Sequence, residues 1–110
     1  MREEDERAMI AAIEGRKVVR FLYTRSGMPG VRVCRPHVLY VSSTGRLSLD
    51  AVQVAGASTS GDLPGWRLFD AAFIGRVQVM DERFGCDGEL NLSNRDRYAR
   101  IVASCAGTHD

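Results

Sequence analysis

Apolar positions recur along the chain with two periods, and the change of period divides it. In "EEDERAMIAAIE", residues 3–14, Met9, Ile10, Ala12 and Ile13 form one stripe of a helix. Acidic residues crowd its first turn, where they favour the positive end of the helix dipole, and Gly15 is placed to stop it. The period then drops to two. "RKVVRFLYT" puts Val19, Phe21 and Tyr23 on one face and Val18, Arg20 and Leu22 on the other, the pattern of a strand. After the turn cluster "RSGMPG" comes a long extended run, "VRVCRPHVLYVS". Pro36 cannot donate to a ladder, so it marks an edge, a bulge or a bend there.

"RLSLDAVQVA" reads as a third strand, Leu47 and Leu49 alternating against Ser48 and Asp50. Its apolar phase then moves to Val52 and Val54, which predicts a bulge near Ala51. "GASTSGDLPG" is a flexible loop and the expected mobile segment. "WRLFDAAF" is a fourth strand and "RVQVMDERF" a fifth, with Val77 and Val79 inward. At the C-terminus, Ser93 and Asp96 have the spacing of a capping box. Tyr98, Ile101, Val102 and Cys105 follow at i, i+3, i+4 and i+7, predicting a short helix that Gly107 would end. The fold class expected is mainly β (α+β): an N-terminal helix, five short antiparallel strands and a short C-terminal helix. Five bent strands at this length favour a small barrel.

With 110 residues the chain is one domain. A net charge of +1 argues against strong nonspecific DNA binding, which needs an excess of positive charge. No apolar run could span a membrane, and the acidic start "MREEDER" is unlike a signal peptide, so a cytoplasmic location is expected. Cys34, Cys86 and Cys105 are odd in number and widely spaced, which points to reduced thiols with neither a zinc site nor a disulfide framework. Of the fifteen basic residues only Lys17 is a lysine. Arginine recognises carboxylate and phosphate bidentately, although an arginine-favouring codon usage accounts for the bias more simply.

Chemistry is sparse. Neither a nucleophile elbow nor a phosphate loop is present. Asp81 and Glu82 are adjacent on a strand and point to opposite faces. His109 lies at the chain end, and His37 has no metal-ligand neighbours in sequence. A partly buried, hydrogen-bonded side chain is the plainer account of His37, with an anion or base contact second. The strand arginines Arg20, Arg32, Arg35 and Arg67 could grip a phosphate or a base if two shared a face with a ring. Tyr23, Tyr40, Trp66 and Phe69 are the candidate rings; core packing is the stronger account of Phe69, while Trp66, after a Pro-Gly turn, could cap a barrel mouth.

Four stretches taken in order, "AIEGRKVVRFLYTRSG", "RVCRPHVLYV", "GRLSLDA" and "WRLFDAAFIGRVQVMDERF", resemble the WYL domain family over about residues 8–84. The specific pieces are Ala-Ile before Gly-Arg, a strand ending in Tyr23, the step from Arg32 to Pro36, and Arg67-x-Phe69 followed by Ile74, two spaced valines and Phe84. The tail "LNLSNRDRYARIV" is similar to what often follows such domains. The resemblance implies a single WYL-like domain over 1–110 with residues 85–110 as an extension, an Sm-like five-stranded barrel, and a ligand-sensing role in bacterial transcription regulation. Such domains usually sit behind a helix-turn-helix, and some respond to single-stranded DNA. The family's naming tripeptide falls on Leu47-Ser48-Leu49, of which only the last matches. Its acidic-Arg-Ile step falls on Ala72-Phe73-Ile74, so Phe73 stands where an arginine is expected.

The function expected is therefore non-enzymatic binding of an anionic ligand, a nucleotide or single-stranded nucleic acid, through Tyr23, Arg32, His37 and Arg67. No catalytic residue, metal or cofactor is expected. With its first helix beginning almost at residue 1, no helix-turn-helix of its own is expected, and a helix-turn-helix regulator is the implied partner. The alternative is a protein-interaction or oligomerisation module, such as a homodimer paired through strand edges, with Pro36 controlling which edge is open.

Overall fold

The structure is a computed structural model that describes residues 1–25, 29–57, 62–88 and 90–107. Helix α1 spans Glu3–Gly15, with Glu3, Glu4, Asp5 and Glu6 in its first turn and Met9, Ala12 and Ile13 buried. It runs one residue further than Gly15 suggested, because Arg16 takes the left-handed position, at φ 55° and ψ 52°. That conformation costs a non-glycine residue about 1–2 kcal/mol. Two contacts offset it: the Arg16 Nε donates to the Cys105 carbonyl at 3.0 Å, and the Arg16 carbonyl accepts from the Phe84 N–H at 3.0 Å.

Among the described residues six strands follow: β1 (Lys17–Tyr23), β2 (Gly30–Val41), β3 (Leu47–Gly56), β4 (Gly65–Asp70), β5 (Ile74–Arg83) and β6 (Arg100–Ser104), with a 3-10 turn at Ala71–Phe73 between β4 and β5. All pair antiparallel in the order β4-β3-β2-β1-β5, and β6 joins β2. Among the described residues no ladder joins β4 to β5. The sheet is nevertheless strongly curled. β1 and β4 are three strand spacings apart, about 14 Å on a flat sheet, yet the Tyr23 and Phe69 rings meet at 5.0 Å and those of Phe21 and Phe69 at 5.2 Å. Helix α1 lies on this concave side, where Met9 and Ile13 join Val19, Phe21, Cys34, Leu49 and Phe69 in the main core.

Pro36 lies in the interior strand. Along one side of β2, β1 pairs as far as Cys34 and β6 begins at Val38. Pro36 falls in the gap, where its missing N–H costs no ladder bond. It therefore guards no sheet edge; the outer strands of the path are β4 and β5. The next residue, His37, is a bulge, since Pro36 pairs with Ala51 but Val38 with Asp50. One extra residue inverts the alternation, so Arg32 and Cys34 belong to one face before it and Val38 and Tyr40 to the opposite face after it.

The bulge predicted near Ala51 is thus at the right height but on the partner strand. β3 keeps its phase through Leu49, Ala51 and Gln53, all at most 1 % exposed; Val52 and Val54 are only half-buried, and β3's own extra residue is Val54. On β5, Val77 packs on the core but Val79 is 39 % exposed. β5 has one ladder neighbour and is twice irregular against β1, with Arg76 at φ 52°, so a strict alternation does not carry through it. Of the loop expected to be mobile, residues 58–61 lie outside the described residues, as do residues 26–28 of the first turn cluster and His109.

The C-terminal helix is not formed. Residues 92–97 make turns, and Arg100–Ser104 extend as β6. The i, i+3, i+4, i+7 spacing was ambiguous over so short a span; pairing with β2 satisfies the same backbone and still buries Ala103 and Ser104. This pairing also overturns the expectation of three reduced thiols. Cys105 N–H bonds to the His37 carbonyl at 2.9 Å, and Asp87 N–H bonds to the His37 ring at 3.2 Å. Both cysteines are thereby brought to the same residue, and Cys86 and Cys105 form a disulfide with Cα atoms 5.6 Å apart. Cys34 is the free thiol. Among the described residues no helix is long and apolar enough to cross a membrane.

Candidate ligand site

The register decides which of the expected site residues meet. Phe21 pairs with Arg32, Val19 with Cys34, Cys34 with Gln53, and Ala51 with Arg67. Alternation then places Tyr23, Arg32, Cys34, Gln53, Arg67 and Phe69 on the concave face. Tyr23 is 7 % exposed and is held at both ends. Its hydroxyl accepts the Asp70 N–H at 3.0 Å, and its ring stands edge-on to Phe69 and, at 6.5 Å, to Phe73. The Arg32 guanidinium lies over that ring, 5.6 Å from its centroid, a distance at which the ring quadrupole attracts the cation.

Arg67 anchors the start of β4 by donating from Nη1 to the Trp66 carbonyl at 2.9 Å and from Nη2 to the Asp62 carbonyl at 2.8 Å. Between the two arginines lies Cys34, which is fully buried. Burial pushes its thiol up to about 12, against an opposing pull from the positive charges of Arg32 and Arg67. Both guanidinium fields thus reach one atom, and that atom is a neutral thiol rather than a thiolate nucleophile. Gln53 was not singled out from the sequence. It is 1 % exposed, and its amide donates to the carbonyls of Ala55 at 3.1 Å and Ala57 at 2.7 Å, tying down the end of β3. Gly56 completes this end at φ 96°, where a Cβ would run into the Val31 carbonyl oxygen. Two guanidiniums and a ring on one face are groups suited to a phosphate or carboxylate attached to a flat group, while the Gln53 amide is committed to its two carbonyls.

His37 does not join them. It is 1 % exposed, on the Trp66 side of the sheet, with ring centroids 4.8 Å from Trp66 and 5.0 Å from Phe84. Nδ1 donates to the Arg35 carbonyl at 2.8 Å, leaving Nε2 to accept the Asp87 N–H. Burial lowers its pKa, partly offset by the bond to the Arg35 carbonyl and the Asp87 charge. It is a neutral structural histidine with both ring nitrogens engaged. Among the described residues no three His, Cys, Asp or Glu side chains gather where they could hold a metal ion.

The opposite face holds the network that sequence reasoning missed. Asp50, 3 % exposed, accepts hydrogen bonds from the hydroxyls of Tyr40 at 2.9 Å and Tyr98 at 2.7 Å. It also pairs bidentately with Arg97, Nε to Oδ2 at 3.0 Å and Nη2 to Oδ1 at 2.7 Å. Burial, and then the Asp50 charge and hydrogen bonds, raise the pKa of both tyrosines; the Asp50 hydrogen bond raises that of Arg97. An acid between Leu49 and Ala51 in an apolar strand was the one available signal, because a buried carboxylate demands donors.

No protein-family model matches the chain, and no curated protein sequence matches it. Among solved structures it is similar to part of "Proteasome accessory factor B/C (PafBC) of Arthrobacter aurescens", with 20 % identity and a TM-score of 0.67. The match covers 81 % of this chain but 13 % of that one. At this identity the likeness is one of fold alone, shared with a short segment of that much longer protein.

Proposed function

We propose that the chain is a non-enzymatic sensing module of the WYL type, with an Sm-like barrel, that binds an anionic ligand on its concave face. The ligand class is a nucleotide or single-stranded nucleic acid, and the setting is transcription regulation in the cytoplasm, with a helix-turn-helix regulator as partner. The observation that carries this reading is that Arg32 and Arg67 share one face with Tyr23 and act on the same buried thiol. Fluorescence anisotropy with labelled single-stranded oligonucleotides over a salt series tests it. Binding should weaken as salt rises, and the Arg32→Ala/Arg67→Ala double variant should lose it. No binding at low salt, or unchanged binding by the variant, would sink the idea.

A second reading, an interaction or oligomerisation module, is favoured by Leu68 and Val79, which are 59 % and 39 % exposed on β4 and β5, the two outer strands. Light scattering separates it from the first: a monomer at all accessible concentrations that captures no partner counts against it.

A further inference from the structure

The convex side of the sheet carries a pocket that the concave-face reading does not use. It has a volume of about 380 Å³ and lies between β3–β4 and the turn segment before β6, lined by Trp66, Arg67, Leu68, Leu90, Asn91 and Arg97 around the Asp50–Tyr98 pair. That volume is in the range of small-molecule sites. Trp66 and Leu68 are 45 % and 59 % exposed. They stand two residues apart on β4, hence on the same face, and the His37 ring backs the indole at 4.8 Å. A flat, braced indole beside two leucines is an apolar wall for a ring.

The donors in its wall select what that ring should carry. Asp50 and Arg97 both line the pocket and form an ion pair, while the Arg67 guanidinium is held to the carbonyls of Trp66 and Asp62. Arg97 commits Nε and Nη2 to Asp50, its side chain stays 45 % exposed, and its planar fork can present a further N–H edge to a second acceptor. We propose that this pocket binds a small aromatic monocarboxylate, with the ring against Trp66 and Leu68 and the carboxylate answering Arg97. A dianionic phosphate fits less well, because the Asp50 carboxylate lines the same pocket.

Trp66 is the only tryptophan, so its fluorescence reports on this pocket alone. Phenylacetate is the probe and phenylacetamide its neutral control. Phenylacetate should give a saturable change with millimolar affinity, about what a ligand of roughly ten heavy atoms reaches. The amide should bind at least about tenfold more weakly, since it forgoes a charge-assisted bond. Leu68→Glu places a like charge at an exposed wall position the fold tolerates, and should also cost at least about tenfold, whereas Arg32→Ala should leave binding unchanged. Arg97→Ala removes a partner of Asp50 and can disturb the fold, so Leu68→Glu, with its fold checked by circular dichroism, is the deciding variant. The proposal is overturned by a response that does not saturate, by equal responses to acid and amide, or by full binding in Leu68→Glu. A response lost in Arg32→Ala instead would assign phenylacetate to the concave face and equally overturn it. Failure here leaves the oligonucleotide test untouched, and the reverse holds as well.

Discussion

The two faces of this sheet use the same pair of residue types to different ends. On the concave side Arg32 lies 5.6 Å over Tyr23. On the convex side Arg97 lies 5.8 Å from the Tyr40 ring and 5.7 Å from the Tyr98 ring. What differs is the group that the arginine meets next. Arg97 closes on Asp50, a carboxylate already accepting two tyrosine hydroxyls, so its Nε and Nη2 tie the C-terminal segment to β3. Arg32 lies over a ring and beside the neutral thiol of Cys34. An arginine over a tyrosine is therefore no sign of a ligand site by itself, since the same pair also serves as a strut where a buried carboxylate stands beside it.

Breaking the strut should have the largest effect. Asp50→Ala removes the acceptor of three side chains, and should cost about 3 kcal/mol, the lower end for breaking a buried pair because Arg97 is half exposed. Urea unfolding checks it; a loss no larger than that of an exposed-residue change would refute the buried-network account. The disulfide comes next. Cys86 and Cys105 close a loop with a sequence separation of 19, so the Cys86→Ser/Cys105→Ser variant should lose about 2–3 kcal/mol. Hydrogen exchange should then rise first in residues 90–104, which carry the convex network, while β1 and its ladder to β2 stay protected. Uniform exchange across both faces would show that the two do not loosen separately.

The concave face gives a pH test. Burial raises the Cys34 thiol from 9.0 to about 12, so its stabilising share is complete below the unfolded value and disappears as pH rises through that window. The slope should reach at most about 1.4 kcal/mol per pH unit. Tyr40 and Tyr98, also raised, add to the alkaline loss, so the readout is the difference from Cys34→Ala, which should be flatter; identical profiles would remove Cys34 from the account. The smallest effect on stability is expected at Phe73, 38 % exposed with its ring 6.5 Å from Tyr23. Phe73→Arg should change stability by about 0.5 kcal/mol or less, yet strengthen oligonucleotide binding by adding a third cation near Arg32 and Tyr23. Unchanged binding would place the ligand elsewhere.

How much of this was legible in advance depends on the range of the interactions. Helix α1, the first strand with Val19, Phe21 and Tyr23 inward, and the pairing of neighbouring strands through short turns were readable, because each rests on residues within a few positions of one another. So was the plainer view of His37 as buried and hydrogen-bonded. At the site, Tyr23, Arg32 and Arg67 were named from local pattern and resemblance, but their common face depends on the register of four strands. A single extra residue inverts every later side chain; Pro36 marked the bulge at His37 to within one residue, but the phase change in β3 placed its own bulge near Ala51 rather than at Val54. The other misses share one cause. Residues 98–105 have a spacing that suits a helix, and three cysteines show no short motif; yet β6 pairs with a strand some sixty residues earlier, and that contact both extends the segment and brings Cys105 to Cys86. Asp50 looked like surface alternation because Arg97 and Tyr98, which satisfy it, lie 47 and 48 positions away; the partners of Gln53, the Ala55 and Ala57 carbonyls, are local, but its burial comes from the pairing of distant strands. Local pattern sets which elements can form; long-range pairing, which no window of neighbouring residues contains, settles the phase, the bridge and the buried charge.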